Sequence, residues 1–199
     1  MKIIDGKAWA QILRAELKEK IEKSEKKPGL AVIIVGEDPA SRIYVRNKIR
    51  ACEELGIRSY SYELPEHTTQ SELENLLDEL ATQDAVDGIL LQLPLPKPLD
   101  SESASVHIPF EKDVDGFSAK NLGLLMQHKE QAVACTPLGI MKLMEKEGIE
   151  LAGKHAVVLG RSETVGKPMA MLLLNANATV TVCHSKTKNL KELCQQADI

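Results

Sequence analysis

The 199 residues carry 25 lysines and arginines against 29 aspartates and glutamates, a net charge of -4, with one tryptophan, three tyrosines and two phenylalanines. That charge balance and that shortage of rings exclude extended nucleic-acid binding, which needs a cationic surface and aromatic groups on which bases stack. No window approaches the roughly 20 apolar residues of a membrane span, and Met1 to Ala10 shows no basic segment followed by an apolar run, so a cytoplasmic protein without a membrane anchor is expected.

A chain of this length suits one large or two small domains and buries roughly 70% of its unfolded surface on folding. Cys52, Cys135, Cys183 and Cys194 show neither CxxC spacing nor a histidine in zinc-ligand register, which points to free thiols and no metal site.

Trp9, Ile12, Leu13, Leu17 and Ile21 recur at helical spacing and predict a first helix that ends near "EKSEKKPG". "LAVIIVG" reads as a strand, "DPASRIYVRNKIRACEELG" as a helix closed by Gly56, "SYSYELP" as a strand and "SELENLLDELA" as an amphipathic helix. "DGILLQLPLP" is a nearly continuous apolar strand, as in a parallel sheet covered on both faces, ended by Pro94 and Pro96. The stretch "IPFEKDVDGFSAKN" reads as a loop. "TPLGIMKLMEKEG" then predicts a helix with Thr136 as N-cap, Pro137 at the first helical position and Gly148 just past the end. A second unit follows: strand "HAVVLG", helix "KPMAMLLLNA", strand "TVTVCHS" and helix "LKELCQQA", with the next strand due at Asp198 and Ile199.

The turn "GRSETVG" joins a strand to a helix, as a dinucleotide-binding turn does, but it lacks the middle glycine of GxGxxG. A P-loop does not fit, because five residues separate Gly160 from Gly166 and Lys167 is followed by Pro168 where the magnesium-binding hydroxyl belongs. About twenty residues on, an NAD site places a carboxylate on the ribose; here stand His184, Ser185 and Lys186. Arg161, Ser185 and Lys186 could instead hold a 2′-phosphate, which favours NADP. An ordinary turn with a surface arginine has the same pattern, and the turn alone does not separate the two.

Tyr44 and Lys48 are four apart and share a helix face. Gln92 interrupts an apolar run at a strand's carboxyl end, the edge where open α/β sheets bind ligands, and Asp115 lies in the loop beyond. Lys48, among Arg46 and Arg50, also suits a solvated face, and Tyr44 a packing position. Gln92 is harder to dismiss, since an unpaired amide in a strand costs on the order of 1–3 kcal/mol. Asp113 and Asp115 do not fit an EF-hand, whose glycine falls at position six and glutamate at twelve.

Together "GEDPASRIYVRNK", "DGILLQLPLP", "EKDVDGF", "CTPLGIM", "LAGKHAVVLGRSETVGKPMAMLLL" and "ATVTVCHSKT" resemble the bifunctional methylenetetrahydrofolate dehydrogenase/cyclohydrolase family along essentially the whole chain. The resemblance implies an α/β protein of two lobes. One is an N-terminal three-layer αβα catalytic and folate-binding domain over 1–119; a linking helix region covers 120–150; the start of a Rossmann-like NADP-binding domain covers 151–199. It implies a folate substrate, NADP as cofactor, a cytoplasmic homodimer, and no nucleic-acid or membrane partner. By motif, Lys48 is the catalytic lysine, Tyr44 stacks on the folate, Gln92 positions the lysine and Asp115 holds the pterin. Gly160, Arg161, Ser162, Val165, Gly166 and Ser185 match the nucleotide site. Two departures stand out. Ala134 occupies a position where the family usually has proline, and the family pattern continues past "QQADI" with strands, a "PGGVGP" segment and a final helix. A folate-binding or dimerising module with little turnover, its strands near an open edge, is therefore the competing expectation, and a dehydrogenase of similar two-lobe design, such as a shikimate dehydrogenase, is a third.

Overall fold

The computed structural model describes residues 3–199. Ala10–Val114 forms one compact unit, and residues 3–9 group with Asp115–Ile199 in another.

In the first unit, β1 (Gly29–Val35) is the middle of a parallel three-stranded sheet, with β2 (Arg58–Leu64) on one side and β3 (Gly88–Leu91) on the other. The apolar run of β1 has two buried faces for a simple reason: successive side chains alternate, so a strand covered twice has no polar face to show. Ala31, Ile33 and Val35 pack with Leu73, Leu77 and Leu80 of α3 (Gln70–Thr82), while Val32 and Ile34 pack with Val45 of α2 (Pro39–Leu55). Helix, sheet and helix make three layers. Each fully buried aliphatic chain contributes about 1.5–3 kcal/mol, so this stack is the main stabiliser of the unit. A Cβ on Gly29 would collide with the Ala85 carbonyl oxygen, so the close approach of that loop to β1 requires glycine.

Local signals set the helix ends. The Asp38 carboxylate accepts from Ser41 N at 2.7 Å, Pro39 opens α2, and Gly56, at φ 79°, closes it in the left-handed region. α3 starts with a capping box between Thr69 and Glu72. In α1 (Gly6–Glu22) Ile21 is buried, whereas Ile12 and Leu17 are 44% and 43% exposed, so the stripe legible in the sequence is covered only in part.

In the second unit, β4 (His155–Leu159) and β5 (Thr179–Cys183) pair in parallel, joined through α7 (Gly166–Asn175). Met144 of α6 (Cys135–Lys146), Ala156, Met169, Leu173 and Ala178 form the core. α6 therefore shares its core with β4 and α7. The His155 carbonyl accepts from Asp198 N at 2.8 Å, and Val157 N donates to Ile199 O at 2.9 Å. Asp198 and Ile199 thus hydrogen-bond to β4 on its edge away from β5, without forming the strand expected there. The Trp9 indole N–H donates to Glu147 Oε1 at 2.7 Å, and Lys146 Nζ stands 5.9 Å from the ring centroid.

Four details differ from the sequence expectation. The last three residues of the stretch expected to be a loop already open α5 (Ala119–Met126), capped by Ser118, and α4 (Ser101–Val106) precedes that stretch, capped by Asp100. β3 is shorter than its apolar run and ends at Leu91, leaving Gln92 just past it. α6 starts at Cys135 with Ala134 as N-cap, so Thr136 lies inside the helix and Pro137 in its first turn, where a missing N–H leaves no helix bond unmade. The Val157 amide is engaged by Ile199, which narrows the open edge expected there.

Candidate active site

Tyr44 and Lys48 extend from successive turns of α2, Tyr44 62% exposed and Lys48 half-buried. Lys48 Nζ donates to Gln92 Oε1 at 3.1 Å. Gln92 is held twice more: its backbone N–H donates to Ile33 O at 2.8 Å, continuing the sheet one residue beyond β3, and its Nε2 donates to Leu93 O at 2.7 Å. Because only the amide nitrogen can donate to a carbonyl, the Leu93 contact fixes which way the amide faces and turns Oε1 toward the lysine. An ammonium has three donors, and the amide takes one, so donors remain for a ligand. At this carboxyl edge a cleft of about 310 Å³ opens between the Gly36–Asp38 turn and the Pro94–Pro96 turn. The structure thus brings Lys48 and Gln92 together, with Tyr44 on the lysine's helix face. Asp115 is half-buried, is engaged by a polar or electrostatic interaction, and falls in the second unit.

In that unit the register Leu159↔Cys183 sets the ends of β4 and β5 side by side, so the loops carrying Arg161 and Ser185 leave from adjacent strand ends. Gly160 adopts φ 125°, a conformation that favours glycine. Gly166 is required by proximity: a Cβ there would collide with the Gly160 carbonyl, since helix α7 starts against the strand end. Ser162, which stands where GxGxxG has its second glycine, organises the turn. Its Oγ accepts from Val165 N at 3.1 Å and Gly166 N at 3.2 Å, and its carbonyl accepts from Lys167 N at 2.9 Å. The hydroxyl proton stays available to a ligand. Arg161 and Ser185 are exposed, and the His184–Thr187 turn behind Ser185 is closed by His184 N to Thr187 Oγ1 at 2.8 Å.

A second cleft of about 300 Å³ runs from this turn along β4 between Ile140, Met144 and Met169. Apolar walls, a glycine turn and an exposed arginine beside a serine suit a phosphorylated dinucleotide, so the donor set fits NADP. The sequence reading does not single out the ion pair between Lys167 Nζ and Glu163 Oε1, 2.9 Å apart, although its i,i+4 spacing is visible there. The hydrogen bond from Lys167 holds the Glu163 carboxyl below the ordinary carboxylate range.

Two parallel α/β units, one with a lysine and amide at its carboxyl edge and the other with a nucleotide-type turn, define an enzyme of the two-lobed dinucleotide-dependent class. The chain belongs to the tetrahydrofolate dehydrogenase/cyclohydrolase family: residues 4–115 match its catalytic domain and residues 134–199 its NAD(P)-binding domain. It is 52% identical to the bifunctional protein FolD of Acetivibrio thermocellus, over 100% of this chain and 70% of that protein. Against the FolD of Nitratidesulfovibrio vulgaris it is 53% identical, over 100% and 72%. Among solved structures, the bifunctional FolD methylenetetrahydrofolate dehydrogenase/cyclohydrolase of Campylobacter jejuni superposes with TM-score 0.96 at 48% identity, covering 100% of this chain and 72% of that one. The Trypanosoma brucei enzyme, complexed with NADP and an inhibitor, gives 0.92 at 37%, covering 99% and 69%.

Proposed function

We propose that this chain catalyses the NADP-dependent oxidation of 5,10-methylenetetrahydrofolate to 5,10-methenyltetrahydrofolate and the hydrolysis of that product to 10-formyltetrahydrofolate. The observation that carries the reading is the Lys48–Gln92 contact at a sheet's carboxyl edge, in a chain that matches both domains of the family. NADP supplies the acceptor for the hydride that leaves the one-carbon bridge. The nucleotide is held by Gly160, Arg161, Ser162, Val165, Gly166 and Ser185, with Arg161 and Ser185 on the 2′-phosphate.

Loss of hydride needs little proton traffic, whereas hydrolysis needs water activated and a proton moved. A cationic substrate beside an amine favours the neutral amine, which lets a lysine take the proton from water as its oxygen joins the methenyl carbon. Returning that proton to N5 as the C–N5 bond breaks, with the remaining hydroxyl proton of the adduct released to water, leaves a neutral formyl group on N10 and frees one proton overall. Gln92 keeps the lysine tip in place through both transfers, Tyr44 stacks on the folate and Asp115 holds the pterin. The proposed functional division is 1–119 for catalysis and folate, 120–150 for connection and 151–199 for nucleotide; the catalytic-domain match ends at 115. A homodimer in the cytoplasm completes the reading, in accord with the absence, among the described residues, of any helix long and apolar enough to cross a membrane.

The presence of both family domains and of the lysine with its amide favours an enzyme over a folate-binding module with little turnover. The test follows formation and decay of methenyltetrahydrofolate by absorbance, with methylenetetrahydrofolate and excess NADP. Turnover that slows in Arg161→Ala supports the reading. Folate binding without turnover would leave only the binding module.

A further inference from the structure

The first turn of α7 has no free backbone donor. Val165 N and Gly166 N donate to Ser162 Oγ, Lys167 N donates to Ser162 O, Pro168 has no N–H, and Met169 N donates to Val165 O at 2.9 Å. In a glycine-only turn, amides at a helix start are what a pyrophosphate binds. Here the dipole's field persists but those hydrogen bonds are already made, so a pyrophosphate in that position needs another donor.

One stands beside it. Helical Cα–Cβ bonds tilt toward the N-terminus, so the stem of Lys167 lies back over the turn. Its ammonium reaches Glu163 at 2.9 Å, with the two side chains 59% and 75% exposed. An exposed i,i+4 pair is weak and opens readily. A pyrophosphate brings two negative charges where the glutamate brings one, so it can displace the glutamate, and the displaced carboxylate then opposes the incoming anion.

We propose that Lys167 is the pyrophosphate ligand of this turn and that Glu163 competes for it, so the ion pair sets dinucleotide affinity from within the turn. The inference rests on the nucleotide reading proposed above. It separates two phosphate sites: Arg161 and Ser185 answer to the 2′-phosphate, Lys167 to the bridge common to NADP and NAD.

Titrating the full chain with NADP and with NAD at low salt tests this. Lys167→Ala is expected to weaken both nucleotides by a similar factor, roughly tenfold, with Lys167→Arg close to wild type, whereas Arg161→Ala weakens NADP far more than NAD. Glu163→Gln is expected to tighten both roughly threefold, and the gain should shrink as salt screens the charges. If the pair served only to brace the turn, Glu163→Gln and Lys167→Ala would weaken binding alike, and that result overturns the proposal. So does a Lys167→Ala loss confined to NADP, or undiminished affinity in that variant while wild type binds. A wild-type chain that binds neither nucleotide overturns the nucleotide reading and this inference with it.

Discussion

Lys48 and Gln92 hold each other at 3.1 Å behind a strand whose Ala31, Val32 and Ile33 are fully buried, whereas Arg161 and Ser185 reach into solvent from a sheet on which Leu159 is 65% exposed. Proton transfer requires atoms placed within a few tenths of an ångström, and a buried strand edge supplies that placement. Capture of a charged nucleotide tolerates flexible tips, because the attraction acts over several ångströms. In the first region side-chain contacts fix the geometry; in the second, Ser162 fixes the backbone and leaves the charged side chains adaptable.

The comparison breaks most visibly at Lys48. Lys48→Met is expected to lower hydrolysis of methenyltetrahydrofolate roughly 100- to 10,000-fold, the usual contribution of a positioned proton carrier, as read from the decay of its absorbance. Retained hydrolysis would remove Lys48 from the mechanism. Two glycine variants sharpen the contrast at the level of stability. Gly29→Ala drives a Cβ into the Ala85 carbonyl and Gly166→Ala into the Gly160 carbonyl, and each should lose about 1–3 kcal/mol in denaturant unfolding. Only Gly166→Ala should also weaken NADP binding. Arg161→Ala is expected to raise the KM for NADP roughly tenfold, about 1.4 kcal/mol, and to leave that for NAD nearly unchanged; equal effects would take the arginine off the 2′-phosphate.

The smallest effect concerns Asp87, whose carboxylate accepts from Lys26 Nζ at 2.6 Å and from Gly29 N at 2.8 Å. The lysine's hydrogen bond, and after it the amide's, hold its pKa below the ordinary 3.8. A depressed folded pKa stabilises the fold above the unfolded value and loses that contribution as pH falls through the folded one. Because the pair is well exposed, Asp87→Asn should cost about 0.2–1 kcal/mol at neutral pH. The gap in Tm between the variant and wild type should close below pH 3.8.

Long elements with caps were legible in the sequence because their signals are local: Asp38, Pro39 and Gly56 bound α2, and the unbroken apolar run of β1 announces two covered faces. α4 and α5 were not, since six and eight residues complete too few turns for a periodic stripe. Lys48 and Gln92 could be named from a helix face and a strand end, but their contact joins residues 44 positions apart. The Gln92 bond to Leu93 O, which orients the amide, left no trace in the pattern. The family resemblance marks Ser162 as a nucleotide ligand; that its Oγ also collects two backbone amides depends on how the turn closes, which residue types alone do not state.

Trp9 is the chain's single tryptophan, and it packs with the second unit while most of α1 belongs to the first. Its indole is tied to Glu147 and lies beside the Lys146 ammonium at the end of α6. Emission from this one fluorophore therefore reports the melting of a single unit, whereas circular dichroism averages the helices of both. Two coincident transitions would mean that the halves unfold as one cooperative body, and a separation between them would measure how independently each half stands.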